Sequence, residues 1–175
     1  MEDDPSAYDG YGEVFRGSLR NDPEQEIKSL RDQTLECIEQ FDVDDVNEDG
    51  RYFMSPDEST QLFTYFTMVA AVIEELSIGL LAEVLTDTET SSVKSSSEFF
   101  ERKLTQERRQ NLLLHTGIID EGTHGEMEKL RNHRNTIVHS YRQRKFVRDL
   151  DETRDMINGG YRVTERLWGK FRDVQ

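Results

Sequence analysis

Apolar side chains recur three and four apart in several separate runs of this chain, the spacing of helices that bury one face. The first run is Ile27, Leu30, Thr34, Cys37, Ile38 and Phe41, and its helix is expected to begin near Asp22-Pro23, where a capping acid precedes proline. Ser55-Pro56-Asp57-Glu58 opens the next, with a capping hydroxyl, proline and two acids in the first turn. That helix carries Leu62, Phe63, Phe66, Val69, Ala70, Ile73, Leu76, Leu80, Leu81 and Val84, an apolar surface wide enough for the centre of a bundle. The polar stretch TDTETSSVKSSS interrupts it. A third helix is expected from about Ser97 to His115, with Phe99, Phe100, Leu104 and Leu112 to Leu114 inside and Gly117 at its C-terminal cap. Thr123-x-x-Glu126 reads as the capping box of a helix carrying Met127, Leu130, Ile137 and Val138. The last helix is expected from about Phe146 to Arg166, with Leu150, Ile157, Tyr161 and Leu167 on its apolar side and Gly159-Gly160 kinking or splitting it. The prediction is an all-α fold, an antiparallel bundle of four to five helices over 23–175. Residues 1–22, rich in Asp, Gly, Ser and Tyr, are expected to form a tail that is disordered or ordered by a partner.

Composition changes this picture in a few places. A chain of 175 residues suits one domain with a real core. The single Cys37 excludes an intramolecular disulfide and a cysteine-based zinc site, and its apolar phase suggests a buried thiol. MEDDPSAYDGYGE at the amino end has no basic region and no apolar run, so no signal peptide is expected. The greasiest stretch, MVAAVIEELSIGLLAEVL, contains Glu74, Glu75 and Glu83, which argues against a bilayer span and for a cytoplasmic protein. DVDDVNEDG alternates acids with Asn but fails the calcium-loop pattern: from Asp42 the sixth residue is Asn47, and from Asp45 the twelfth is Pro56.

The net charge is −14, from 36 acids against 22 bases, of which 16 are arginine. Such an acidic, arginine-over-lysine balance suits a halophilic protein, in which salt screens self-repulsion, and it opposes indiscriminate nucleic-acid binding. The charge is uneven. KLRNHRNTIVHSYRQRKFVR, residues 129–148, holds seven bases and no acid, leaving a balance of −21 elsewhere.

Within that basic stretch lies RNTIVHSY, residues 134–141. On a helix, Asn135 and His139 stack one turn apart with Arg134 beside them, while Ile137 and Val138 point more toward the core. These side chains suit RNA cleavage without a metal. A histidine titrating near neutrality can take the ribose 2′-hydroxyl proton or protonate the departing 5′-oxygen. Arg134 can hold the scissile phosphate, Asn135 can orient His139, and Tyr141 can position substrate. One histidine does not readily serve as both base and acid, so a symmetric homodimer is expected, with 2′,3′-cyclic phosphate and 5′-hydroxyl products and no action on DNA. Arg131, His133, Arg142, Arg144 and Lys145 are the candidate RNA contacts, although His133 also reads as a residue of a solvated face or a dimer contact. His115 reads as a helix-end residue and His124 as a first-turn residue. The plain alternative is a helix end that carries Arg and His to suit its dipole, with Asn as a cap and Tyr as a half-buried anchor. No histidine pair has tight ligand spacing with a third ligand nearby, so neither metal nor cofactor is expected.

The motif Arg134-Asn135-Thr136-Ile137-Val138-His139, extended by Ser140-Tyr141 to R-x4-H-x-Y, resembles that of HEPN domains (higher eukaryotes and prokaryotes nucleotide-binding). Its nearest form is that of the HEPN toxins paired with minimal nucleotidyltransferase antitoxins. The likeness covers about residues 95–141, including the stretch SSSEFFERKLTQERRQNLLLHTGIIDEGTHGEMEKLRNHRNTIVH. It implies a dimeric four- to five-helix bundle in which Arg134 and His139 of both chains line a shared cleft, supported by Asn135, in a toxin–antitoxin, defence or RNA-processing setting. It also implies that Tyr141 is where a partner nucleotidyltransferase adds adenylate, placing bulk and negative charge in the cleft. The chain is longer than the compact toxins and its serine-rich break at 86–97 is not a close match. That leaves a second implied reading, a HEPN bundle kept as a non-catalytic dimerisation, nucleotide-binding or adaptor module. A DNA-binding regulator fits less well, because no helix-turn-helix spacing precedes the basic strip.

Overall fold

The computed structural model describes residues 22–39, 55–86, 93–143 and 150–174, with side chains masked from 138 to 143 and at 93 and 94. Among these residues the protein is all-α: α1 (Pro23–Glu39), α2 (Pro56–Leu85), α3 (Val93–Lys103), α4 (Gln106–His115), α5 (Glu121–Gln143) and α6 (Leu150–Val174), with no strand. The expected tail, the 42–50 loop and Phe41 lie outside the described residues.

The helix starts follow from local chemistry. Asp22 caps α1, its carboxylate accepting from the Glu24 N–H at 3.1 Å. Ser55 and Glu58 form a full capping box at α2: Ser55 Oγ accepts from the Glu58 N–H at 3.3 Å, and Glu58 Oε2 accepts from the Ser55 N–H at 2.5 Å. α2 is the centre of the molecule and touches each of the other five helices. Its second half is buried on all sides from Leu76 to Ala82, and only then do Val84 and Leu85 become exposed. A helix apolar all round belongs in the interior, and this one is there.

Several boundaries differ from the expectation. The segment from 97 to 115 is two helices, broken at Leu104-Thr105. Thr105 caps α4, its hydroxyl accepting from the Arg108 N–H at 3.3 Å. The freed carbonyls of α3 are met by Arg109, whose Nη1 donates to Phe100 O at 3.0 Å and to Leu104 O at 2.5 Å. At the start of α5, Thr123 is not the cap. Asp120 is: its carboxylate accepts from the Thr123 N–H at 2.7 Å, while Thr123 itself is buried one turn inside. Glu126, freed from the expected capping box, holds Arg162 at 2.9 Å and Arg166 at 3.1 Å on α6.

Gly117 does end α4. Its φ is +73°, and the Gly117 and Ile118 N–H groups donate to Leu114 O and Leu113 O at 2.9 and 3.0 Å, a Schellman closure. Gly159-Gly160 does not split α6, which runs unbroken to Val174. Val163, Leu167 and Phe171 continue its buried stripe past Arg166, where the helix was expected to stop. Gly160 faces Tyr65 of α2, a fully buried ring whose hydroxyl donates to Ile157 O at 2.5 Å. Tyr161, expected on the apolar side, is half-buried under the Arg31 guanidinium, 4.4 Å from its ring centre.

The helix pairs Arg31–Tyr161 and Glu24–Arg172 run in opposite directions along the chain, so α1 is antiparallel to α6. Glu126–Arg162 and Thr123–Arg166 give the same sense for α5 and α6. α5, which carries the basic motif, is thereby held between α2 and α6.

Candidate functional site

The buried stripe of α5 is Thr123, Met127, Leu130 and Ile137, spaced by four, three and seven. That spacing decides where each motif residue stands. His133 lies three past Leu130 and four before Ile137, so it belongs to the stripe and not to a solvated face. It is half-buried, its ring 4.8 Å from that of Phe66 on α2 and tilted by 59°. Its Nε2 is buried with no hydrogen-bond partner among the described residues. Burial pushes the His133 pKa below the usual histidine range, and the opposing pull of Glu152 on α6 is the smaller effect. The ring is therefore neutral at pH 7, and as a phosphate contact it would offer no charge.

Arg134 and Asn135 are off the stripe. Asn135 is exposed and Arg134 half-buried. Arg134 Nη1 donates to Asn135 Oδ1 at 3.4 Å, a long and weak bond, and Arg134 Nε is buried without a partner among the described residues. The guanidinium is thus held beside the Asn135 amide with hydrogen-bonding capacity unspent. Position 139 follows Asn135 by one turn on the same unbroken helix. The side chains of His139, Tyr141 and Arg142, and all of Arg144 and Lys145, lie outside the described residues.

Arg131 is turned to another task. Its Nη1 donates to Gln110 Oε1 at 3.0 Å, tying α5 to α4. It borders a cavity of about 10 Å³, the size of a single water, with Phe66, Ala70, Gln106 and Leu130.

The remaining candidates separate cleanly. His115 is the exposed last residue of α4. His124, in the first turn of α5, has Nε2 2.9 Å from Asn111 Oδ1, to which it donates when protonated there. The Cys37 thiol is half-buried, and burial, then the charges of Glu58 and Asp57, push it up, away from the thiolate a nucleophile needs. Among the described residues no three His, Cys, Asp or Glu side chains cluster as metal ligands would. Nor is any helix long and apolar enough to cross a membrane.

One residue of consequence was missed in the sequence. Arg109, only 2% exposed, pairs with Glu74 of α2 besides capping α3. Nothing local in the sequence distinguishes it from Arg108 beside it. Comparison of the chain with protein-family models, with curated proteins and with solved structures finds no match.

Proposed function

We propose that this protein is a metal-independent endoribonuclease, with Arg134 as phosphate clamp, His139 as general acid or base, Asn135 as its support and Tyr141 at the rim. The observation that carries this reading is Arg134 held against the exposed Asn135, one turn ahead of position 139, in a stretch with seven bases and no acid on a body of opposite charge. A half-buried guanidinium is suited to an anion whose charge grows in the transition state. Cleavage uses the 2′-hydroxyl as nucleophile and leaves a 2′,3′-cyclic phosphate and a 5′-hydroxyl. A second copy of the chain supplies the complementary histidine, and a minimal nucleotidyltransferase that adenylylates Tyr141 is the corresponding partner.

The second reading, a non-catalytic dimerisation or adaptor module, is favoured by a specific observation. Arg131 is committed to Gln110 and His133 to Phe66, so two of the flanking RNA contacts serve the fold. The test is cleavage of a mixed RNA pool in molar KCl with EDTA, beside His139→Ala. Cleavage with cyclic-phosphate ends, lost in a folded His139→Ala, is expected, with a loss of about a hundredfold or more. A folded wild type that cuts nothing across salts and substrates moves the assignment to the adaptor class.

A further inference from the structure

His133 sits where an apolar side chain would suffice. Its nearest partners in the stripe are Met127, Leu130 and Ile137, and its neighbour across the interface is the ring of Phe66. Neutral imidazole tolerates this, because only one ring nitrogen carries a proton and the buried Nε2 can remain a bare lone pair. Imidazolium does not. It would carry an N–H on the buried Nε2 that meets no acceptor among the described residues, and a charge withdrawn from water, a cost that attraction to the Phe66 ring offsets only in part.

The charges around the ring decide whether anything offsets that cost. On α2 there is nothing: from Ser59 to Ile73 the helix carries no Asp, Glu, Lys or Arg, and its one titratable group, Tyr65, is neutral with its hydroxyl spent on Ile157. On α5 itself the charged neighbours within one turn are Lys129, Arg131 and Arg134, all of the same sign as imidazolium. On α6, Glu152 favours the proton, but its influence is outweighed by burial.

We propose that His133 is an acid-sensitive latch between α5 and α2: neutral, it lets the motif-bearing half of α5 pack on Phe66, and protonated, it releases that half. The consequence is local. Glu126 with Arg162 and Arg166 holds the first turns of α5 independently, so release begins beyond Leu130 and takes Arg134 and Asn135 with it. The control of RNA cleavage by this latch rests on the ribonuclease reading; the latch itself does not.

The direction in pH follows from linkage. A histidine whose folded pKa lies below its unfolded value stabilises the packed state fully above the unfolded value near 6.5, and that contribution is lost as pH falls toward the folded one. The experiment is amide hydrogen exchange on the full chain in constant molar KCl, read as protection factors at 130–137 against those of α2. Protection at 130–137 is expected to fall as pH drops from 7.5 to 5.5, by at most about tenfold for one proton per latch, while that of α2 holds. In His133→Phe, which keeps the ring contact, and in His133→Gln, which keeps polarity without a titrating proton, the fall is expected to vanish. The His133 ring protons, followed by NMR in the wild type, should titrate below pH 6.5. Protection unchanged in the wild type, an equal fall in the folded variants, or a ring that titrates at or above 6.5 each overturns the latch. None of these readouts depends on whether the protein cuts RNA, so a failed nuclease assay and a failed latch are distinct results.

Discussion

A Cβ built on Gly160 would stand 2.8 Å from Tyr65 Oη and 3.1 and 3.3 Å from the Val69 methyls, closer than side chains pack. Tyr65 cannot swing aside, because its ring is fully buried and its hydroxyl is bound to Ile157 O. On Gly159 the same Cβ meets only the end of Arg162, at 3.5 Å. Alanine is therefore expected to act with opposite signs at adjacent positions. Gly159→Ala should stabilise by about 0.5–1 kcal/mol, the helix-propensity difference. Gly160→Ala should destabilise by about 1–2 kcal/mol, overpacking outweighing that same gain. Urea unfolding measures both. Tyr65→Phe loses a buried hydrogen bond, worth about 1 kcal/mol, but it also removes the clashing atom. Gly160→Ala should then cost measurably less in the Tyr65→Phe background than in the wild type, and full additivity would place the clash elsewhere.

At the scale of elements, the joint between α3 and α4 depends on one side chain. Arg109 supplies the donors that the end of α3 lacks and reaches Glu74 on α2, so Arg109→Met should cost about 2–4 kcal/mol by leaving those carbonyls and the carboxylate unmet. Glu74 is nearly half exposed, and Glu74→Gln is expected to cost about 1 kcal/mol or less. Amide exchange at the end of α3 should accelerate in the first variant and barely change in the second. The start of α5 offers a pH test. Hydrogen bonds from Thr123 hold the Asp120 carboxyl below the usual aspartate range, so its cap is present above the unfolded aspartate pKa and persists until pH falls through the lowered value. Exchange at 121–124 should stay slow to more acid pH in the wild type than in Asp120→Ala. These joints also mark what was legible in the sequence. Apolar spacing located the helical segments, though it ran α3 and α4 together, and the caps at Asp22, Ser55 and Gly117 were readable because each is local in the chain. The break at Leu104-Thr105 was not, because the group that makes it tolerable, Arg109, acts through space. The role of Gly160 was not legible for the same reason: it makes room for Tyr65, 95 residues away in numbering.

Across the whole molecule, charge and site are read together. That Arg134 lies beside the face of Asn135 was legible because position along one helix sets it, whereas the turning of Arg131 to Gln110 and of His133 to Phe66 needed the partner helices. A count of bases therefore overstates the positive charge free to meet RNA. The net charge of −14 and the basic stretch respond to salt in opposite ways. Added KCl screens the self-repulsion of the folded body, with the Debye length falling from about 10 Å at 0.1 M to about 3 Å at 1 M. Stability is thus expected to rise steeply at low salt and to flatten above about 1 M. A melting temperature that climbs linearly through several molar would instead point to ion exclusion from the surface, and screening would be the wrong account. RNA binding as proposed releases counterions, and each phosphate contact on a single strand steepens the fall of log affinity with log salt by about 0.7. With about four contacts the slope is about −3, a loss of roughly three orders of magnitude for a tenfold rise in salt. Cleavage measured against KCl at fixed, subsaturating RNA should therefore peak where folding is nearly complete and binding not yet lost. Raising the RNA concentration should move that peak to higher salt, because saturation offsets the binding term alone; a peak that stays in place would mean that salt acts on folding or on the chemical step and not on the proposed phosphate contacts.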